Sequence, residues 1–321
     1  MSKKRQTPLA KPSGITLPEH TRHVKEEAAY IVERLPFLAK KYAMLCGDTL
    51  SEDLLKAAKF HDWGKAYSIW QEACLKDHQA YLDWRASNNL PIGEYSSADY
   101  RRYERDRRQH RKLVGEHLRT ACLRHEIASL FFIEQNKVKL SEKIRAAIAA
   151  HHGKLSFIHK KRWKRDGKVS EYDSNGPFFK YWNEFEALAD EVSDEDVKKI
   201  LQKRYEFSAI RALLQLADKR ASRKEGEGND AHYELSSFPK VKRFPSLRPV
   251  QKAALQVADQ PVSILRAPTG SGKTHAALLW AEEQVNKGRA DRLVIAMPTR
   301  FTSNALAIGA AEQLGETGLY H

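Results

Sequence analysis

The feature that most restricts this fold is a histidine–aspartate pair at the end of an apolar run, in the stretch "AAKFHDWGKAY". Leu54, Ala58 and His61 are spaced i, i+4 and i+7, and Asp62 follows at i+8. Residues at these spacings share one face of an α-helix. The pattern therefore predicts a helix over 51–63 that turns two ionisable side chains toward the core.

Four further amphipathic patterns also carry ionisable residues on their apolar faces. These residues are His20, His125, the pair His151 and His152, and Asp218. A single inward histidine is usually a satisfied core residue, but burying an unpaired carboxylate such as Asp218 costs several kcal/mol. Together the five positions favour a shared divalent cation. Nitrogen and oxygen ligands without a thiolate indicate manganese, iron, cobalt, nickel or magnesium, and the histidines favour the transition metals over magnesium alone.

Long amphipathic patterns dominate the chain up to about residue 225, with few alternating strand patterns between them. The expected helices include 18–34, 51–63, 116–135, 141–152, 194–203 and 206–222. The stretch 221–232, "ASRKEGEGNDAH", is rich in glycine and charge and predicts a linker. After it the texture changes to that of an α/β domain.

The inward residues lie in five ordered segments, "LPEHTRHV", "HDWGKAYSIWQ", "RHEIAS", "AHHGK" and "LLQLADKRAS". These segments resemble the HD phosphohydrolase superfamily and, more closely, the HD nuclease domain of the type I CRISPR-associated helicase-nuclease. The similarity covers most of 15–225, and the ordered set is specific, whereas a lone HD pair would be a weak signal. The resemblance implies a mainly α, helical HD-domain fold.

The resemblance also implies a centre with two divalent ions. One ion would be held by His20, His61, Asp62 and Asp218, and the other by Asp62, His125, His151 and His152. Asp62 would bridge the ions and Lys65 would lie near the phosphate, and these two are the predicted catalytic residues. His110 and His117 are alternatives to His125 because they lie in the same region. Two cations can together activate a water, offset phosphoryl charge and support the departing alkoxide.

The stretch "APTGSGKT" predicts a phosphate-binding loop between a strand and a helix. Gly270 and Gly272 let backbone N–H groups approach the phosphates, Lys273 reaches the β and γ groups, and Thr274 would ligate Mg²⁺. With the buried-strand pattern "RLVIAMPTR", this segment resembles the start of a superfamily 2 helicase, a truncated α/β RecA-like domain. The resemblance implies that Gln251, in "LRPVQ", reads adenine and that "MPTRFTSNAL" touches the nucleic-acid backbone.

No strand ending in paired acids follows the loop, and no second RecA-like lobe follows either. Such motors need these parts to hold Mg²⁺, activate water and supply an arginine finger. The helicase segment therefore looks cut short, as in a fragment or a split gene. We expect the chain alone neither to hydrolyse ATP usefully nor to unwind a duplex.

The charge of the chain points to a polyanionic partner. It carries 55 Lys and Arg residues against 41 Asp and Glu, a formal charge of +14 and a pI of about 9.5. Nucleic acid is the first candidate, and a solvated basic surface is the alternative. Arg162, Trp163 and Arg165 combine charge with an aromatic ring and are predicted to bind single-stranded DNA. The basic run 101–112 is equally consistent with a solvated surface.

Other classes are excluded by what the sequence lacks. It contains neither a run of about 20 apolar residues nor the apolar stretch of a signal peptide. Its three cysteines have neither the spacing of a zinc site nor the even count of a disulfide framework. We therefore expect a cytoplasmic protein that does not contact a membrane.

The expected domains are a disordered basic tail over 1–14, an HD nuclease domain over 15–225, a linker over 226–240 and an incomplete helicase domain over 241–321. The expected function is metal-dependent hydrolysis of single-stranded DNA exposed by a type I CRISPR effector complex, joined to an ATP–Mg²⁺-dependent helicase. The alternatives are an HD phosphohydrolase acting on small nucleotides and a non-catalytic nucleic-acid binding module. The complete ligand set argues against the module, and the helicase start argues against the small-nucleotide enzyme.

Overall fold

The computed structural model of the chain shows two compact units. It describes residues 7–91, 96–121, 123–152, 193–228, 235, 238–296 and 300–314. The first unit takes its described residues from 1–33 and 42–233, and the second takes them from 34–41 and 234–321. The domain ranges given above remain predictions.

Helices account for nearly all the regular structure of the described residues, which confirms the mainly α class. They are α1 (Leu17–Glu33), α2 (Pro36–Cys46), α3 (Leu50–Phe60), a 3₁₀ turn (Trp63–Ala66), α4 (Ser68–Ser87), α5 (Ser97–Gln109), α6 (Glu116–Ala121), α7 (His125–Gln135), α8 (Glu142–Ala149), α9 (Asp194–Glu227), α10 (Pro249–Gln256), α11 (Lys273–Asn286) and α12 (Arg300–Leu314). None of these helices combines the length and the low polarity needed to cross a bilayer.

The core of the first unit forms where α1, α3, α8 and α9 pack against one another. The apolar stripes read from the sequence are buried in it, among them Leu54 and Ala58 on α3 and Leu214 on α9. Apolar residues recur at every third or fourth position along these helices and form a stripe that faces the core. An ionisable residue on the same stripe is therefore buried together with them. The packing of α7 against the 3₁₀ turn completes the surroundings of the inward residues.

Helix α9 is longer than expected. The predicted helices 194–203 and 206–222 form one continuous element, and the first part of the predicted linker, up to Glu227, is helical. Ser193 accepts a hydrogen bond from the backbone N–H of Asp196 and caps its start. The helix ends at Gly228, whose φ of 84° is readily adopted only by glycine. Charge and a single earlier glycine were therefore poor signals of a linker.

The helix predicted over 116–135 is interrupted. Its first part ends at Ala121 as α6, and α7 begins at His125. His125 is therefore the first residue of a helix rather than a mid-helix residue. Before α6, the helices α2, α4 and α5 add to those expected from the sequence.

The described part of the predicted tail is ordered, which differs from the expected disorder of 1–14. Leu9 is buried against Trp70 and Cys74. The side-chain amide of Gln71 accepts from the Leu9 N–H and donates to its carbonyl. Leu9 also forms an antiparallel bridge with Thr16. Burial of Leu9 with both of its backbone groups satisfied helps to hold the segment on α4, although its composition suggested a free tail.

In the second unit, α10 packs against α11, and Val241, Leu278 and Leu279 form a small core. The strand expected before the phosphate loop and the one expected in "RLVIAMPTR" do not form within the described residues. Val262, Ile264 and Val294 are 78%, 95% and 88% exposed, whereas a central parallel strand would bury them. A parallel strand depends on hydrogen bonds to neighbouring strands, and the described residues supply none.

Candidate metal centre

Asp62 is the residue around which the inward histidines gather. It follows α3 and begins the 3₁₀ turn, and its carboxylate is buried. Oδ2 lies 3.3 Å from both His20 Nε2 and His61 Nε2. Oδ1 lies 3.2 Å from His125 Nε2 and 3.8 Å from His151 Nε2. Each carboxylate oxygen therefore faces a different set of imidazoles.

Two groups of side chains could hold a metal ion, and Asp62 belongs to both. In each group the candidate ligand atoms lie within 4.8 Å of one another. The groups are His20, His61 and Asp62, and Asp62, His125, His151 and His152. Asp218 joins the first through its Oδ1, 3.2 Å from His20 Nε2. The structure thus brings together all seven residues predicted as ligands, and their role as ligands stays a prediction.

Hydrogen bonds fix which nitrogen each buried histidine presents. Nδ1 of His61 donates to the carbonyl of Ala58 at 2.8 Å, and Nδ1 of His151 donates to the carbonyl of Ile148 at 2.6 Å. A carbonyl only accepts, so the proton lies on Nδ1 and the Nε2 lone pair is available. Metal-binding histidines are oriented by this kind of second hydrogen bond.

The Nε2 atoms that these histidines turn toward Asp62 are not engaged in hydrogen bonds with other described residues. Nε2 of His20, His61, His125 and His151 is buried in each case and makes no hydrogen bond of acceptable geometry in that part of the chain. Buried polar atoms are nearly always satisfied, so four such nitrogens around one carboxylate require an explanation. A divalent cation bound by imidazole and carboxylate supplies one, and the donor set fits manganese, iron, cobalt or nickel.

The electrostatics of the first group favour a cation. Burial disfavours the charged imidazole of His20, but the carboxylates of Asp218, Asp62 and Glu225 outweigh it and raise its pKa to about 10. Burial likewise opposes ionisation of Asp218, and the adjacent His20 imidazole outweighs it and lowers the Asp218 pKa. The site therefore has a negative potential strong enough to hold a positive charge in its interior.

The second group behaves differently. Desolvation of the ring by the surrounding protein, followed by the nearby His151 and His125, lowers the pKa of His152 to about 3, although the residue is exposed. Burial also lowers the pKa of His125, against the pull of Asp62. Neutral imidazoles are the form that ligates a metal. Thus His125 and His152 are held ready to bind without first losing a proton.

Lys65 is buried beside the centre, and its Nζ lies 2.6 Å from Asp62 Oδ2. The pKa of Asp62 is lowered well below its ordinary value, because His61 and Lys65 outweigh the effect of burial. Lys65 therefore keeps Asp62 ionised. Its predicted contact with a phosphate remains a prediction.

Ser129 fastens α7 to the turn that carries Asp62, and sequence reasoning gave it no role. Its hydroxyl accepts from the Gly64 N–H at 2.8 Å and lies 2.7 Å from the His61 carbonyl and 2.8 Å from the His125 carbonyl. A Cβ on Gly64 would lie 2.0 Å from the His125 carbonyl oxygen. Ser129 stands four residues after His125, and that helical spacing was the available signal.

The two alternatives to His125 lie elsewhere. His110 is exposed and caps its own helix through the carbonyl of Asp106. His117 is exposed, and its backbone N–H donates to Asp77. Neither belongs to a candidate metal group among the described residues.

The phosphate loop lies in the second unit. Gly270 and Gly272 have φ values of 78° and 92°, and α11 begins at Lys273 directly after the loop. The Lys273 ammonium donates to the carbonyls of Ala267 and Pro268, and Thr274 is exposed. Gln251 is buried against the loop, since a Cβ on Gly272 would lie 2.7 Å from its Nε2. The five predicted nucleotide-binding residues therefore cluster, and their binding role stays a prediction.

The prediction of single-stranded DNA binding rests on three residues. Arg162, Trp163 and Arg165 lie outside the described residues. Most of the basic run 101–112 forms the end of α5, where Arg102 stacks 5.8 Å over the ring of Trp84. That contact is consistent both with a solvated basic surface and with a nucleic-acid binding surface.

A helical domain that gathers histidines from several helices around a histidine–aspartate pair is the arrangement of the HD class, and here it forms a candidate metal centre. Comparison with known proteins makes the assignment specific. Residues 2–226 match the family described as Cas3, HD domain, and residues 248–317 match the DEAD/DEAH box helicase family. The chain belongs to the Cas3 HD domain family, which confirms the resemblance seen in the sequence.

Two curated relatives are similar over short segments. Sixty residues, 18% of this chain, are 42% identical to the putative CRISPR-associated nuclease/helicase Cas3 of Methanocaldococcus jannaschii and cover 8% of that protein. Forty-five residues, 14% of this chain, are 42% identical to the CRISPR-associated endonuclease/helicase Cas3 of Escherichia coli and cover 5% of it. The matched segments thus span under a tenth of either relative. No solved structure matches the chain.

Proposed function

We propose that this chain is a metal-dependent nuclease that cuts single-stranded DNA in CRISPR defence. The observation that carries the proposal is the gathering of four unbonded histidine Nε2 atoms on the two oxygens of Asp62. Membership of the Cas3 HD family supports it. So do the names of both curated relatives, which describe a nuclease joined to a helicase.

The residues divide the work between two metal positions. His20, His61 and Asp218 serve one, and His125, His151 and His152 serve the other, with Asp62 common to both. Two bound cations supply an activated water and neutralisation of the phosphodiester charge. The protein orients the imidazoles through their Nδ1 hydrogen bonds and keeps Asp62 ionised through Lys65. Lys65 also adds positive charge where a phosphate would approach.

Single-stranded DNA is the proposed substrate, and a type I CRISPR effector complex is the proposed partner that exposes it. A formal charge of +14 supports a polyanionic substrate. The helicase match supports a substrate presented as a strand, since helicases act on nucleic acid rather than on free nucleotides. The complex follows only from the CRISPR-associated names of the relatives.

The second unit is proposed to bind ATP–Mg²⁺ through the phosphate loop. Glycines in left-handed conformations, with Lys273 at the start of α11, present backbone N–H groups and a positive charge together. Gln251 against the loop supports a role in reading the base. In this proposal nucleotide binding drives the strand toward the nuclease only in a complete helicase.

The test is cleavage of a single-stranded DNA oligonucleotide with Mn²⁺, comparing the protein with Asp62→Asn. We expect the substitution to lower the rate at least about 100-fold, because both metal positions lose a shared carboxylate. Asp83→Asn is the matched control, since Asp83 is exposed and lies outside both metal groups.

The same protein offered deoxynucleotides separates the alternatives. Loss of nucleotides with intact DNA would favour the small-nucleotide phosphohydrolase. DNA binding without cleavage under any divalent cation would favour the non-catalytic module. Cleavage that survives Asp62→Asn would contradict the proposed centre.

A further inference from the structure

Glu225 is a buried carboxylate that the proposed reaction does not use. It lies near the end of α9, within the stretch that composition predicted to be a linker, and its side chain is 2% exposed. A buried carboxylate needs partners of opposite charge or several hydrogen bonds. The contacts of Glu225 therefore indicate what it does.

The carboxylate of Glu225 lies directly behind His20. Its two oxygens are 2.9 and 3.1 Å from His20 Nδ1. On the opposite side of the same ring, His20 Nε2 lies 3.2 Å from Asp218 Oδ1 and 3.3 Å from Asp62 Oδ2. The His20 imidazole thus lies between the Glu225 carboxylate and the candidate metal centre. This arrangement fixes the rotation of the ring and turns Nε2 toward the centre.

Glu225 is itself held by two further groups. His23 Nδ1 lies 2.7 Å from Oε1, and Lys11 Nζ lies 2.6 Å from Oε2. His23 is one turn after His20 on α1, and Lys11 comes from the segment before α1. Three parts of the chain therefore meet on one carboxylate, which leaves it little freedom to move away from His20.

The other buried histidines are oriented differently. His61 and His151 donate Nδ1 to backbone carbonyls, which are neutral acceptors. His20 is the histidine of the described centre whose Nδ1 has a carboxylate outside the ligand set at hydrogen-bond distance. The corresponding pair at His125 is longer, with Nδ1 3.8 Å from Glu126 Oε2. A charged acceptor strengthens the hydrogen bond and makes the imidazole a stronger donor to a metal.

We propose that Glu225 is a positioning residue that holds His20 against the metal through the His20 Nδ1 hydrogen bond. This inference rests on the proposed function, because it takes His20 to be a ligand. Glu225 acts through His20 and does not touch the metal or the substrate. Its removal should weaken the binding of the ion that His20 holds and leave the rest of the centre in place.

Two substitutions separate orientation from charge. Glu225→Ala removes both, and metal affinity should fall about 10–100-fold, the usual cost of losing a partner behind a metal-binding histidine. Glu225→Gln keeps an oxygen that can accept from Nδ1, so its loss should be smaller. Glu227→Ala is the matched control. Glu227 is two residues further on the same helix, more exposed, and paired with Arg223.

The decisive experiment is a double-mutant cycle measured by calorimetric titration of the metal-free protein with Mn²⁺. Glu225→Ala should weaken binding in the wild-type background and change it by less than about twofold in a His20→Ala background, because partners that act as a unit are not additive. Circular dichroism shows whether each variant is folded. If Glu225→Ala is unfolded, the same cycle is measured with Glu225→Gln in its place.

Equal losses in both backgrounds, or no loss in either, would overturn the positioning role. A His61→Ala variant tests the centre itself. If it binds Mn²⁺ as the wild type does, the proposed function fails and the inference fails with it. If His61→Ala loses metal while Glu225→Ala does not, only the inference is wrong.

Discussion

The two units differ in how much of their expected structure forms. In the first unit, residues that are up to two hundred positions apart converge on Asp62 as the sequence predicted. In the second unit, the phosphate loop and α11 form, but the strands expected on either side do not appear among the described residues. The apolar side chains Ile264 and Val294 are left 95% and 88% exposed.

The difference follows from where each element finds its hydrogen bonds. An α-helix pairs its backbone within its own sequence and needs neighbours only to cover its apolar stripe. A parallel strand must pair with other strands, which come from distant parts of the chain. A site carried by helices is thus specified by short stretches of sequence, whereas a site carried by a sheet depends on the whole sheet.

Of the tests of this difference between the two units, a substitution at Gly64 in the first unit should have the largest effect. A Cβ there would lie 2.0 Å from the His125 carbonyl and 2.6 Å from the Ser129 N–H, both of which are backbone groups. Gly64→Ala should lower the free energy of unfolding by about 3 kcal/mol or more, since overpacking against backbone cannot relax. Urea unfolding followed by circular dichroism measures it.

Gly226→Ala is the control for that change, because nothing lies within 4 Å of the added Cβ and the residue is helical. It should be neutral or stabilising by about 0.5–1 kcal/mol. A Gly64→Ala protein as stable as the wild type would mean that α7 does not rest on the turn that carries Asp62.

The next largest effect is expected when metal is added, and it should act on the first unit. Mn²⁺ at about 100 times its dissociation constant should stabilise the first unit by about 2.7 kcal/mol. The reason is that the candidate ligands come together only in the folded protein, so the proposed ion would bind that state alone. The measurement is the shift of the urea midpoint between chelator and Mn²⁺, with His61→Ala as the variant in which the shift should vanish. An equal shift in His61→Ala would place the bound ion outside the centre.

The smallest effect is expected in the second unit. Gly272 has a φ of 92°, and an added Cβ would meet the flexible end of Gln251 at 2.7 Å. Gly272→Ala should cost about 1–2 kcal/mol of left-handed strain in the loop. Binding of a fluorescent ATP analogue should weaken, while Mn²⁺ affinity stays at the wild-type value. Gly309→Ala, where the added Cβ meets nothing within 4 Å, provides the control.

Local periodicity carried most of the prediction of the centre. His61, Asp62, His151 and Asp218 were found because each follows apolar residues at helical spacing, and that spacing is a property of one short segment. His125 shows the limit of the method. It was placed within a long helix, whereas α7 begins at that residue and the described residues 123 and 124 before it are not helical.

Glu225 and Ser129 were missed for related reasons. Glu225 stands seven residues after Asp218 and so on the same helix face, but the helix was expected to end at 222. Ser129 stands four residues after His125, and its three backbone contacts come from parts of the chain that pattern reading treats separately. Their roles depend on contacts between elements.

The sequence by itself determined the helical class of the first unit, the ionisable residues on the buried faces and the presence of a phosphate loop, because each depends on neighbours a few positions away. Only the tertiary structure decided that two oxygens of Asp62 face different sets of histidines, that the segment before α1 closes on Glu225, and that Ser129 joins α7 to the 3₁₀ turn. Those facts depend on the distances between elements, which are set when the helices pack and not by the spacing within any one of them.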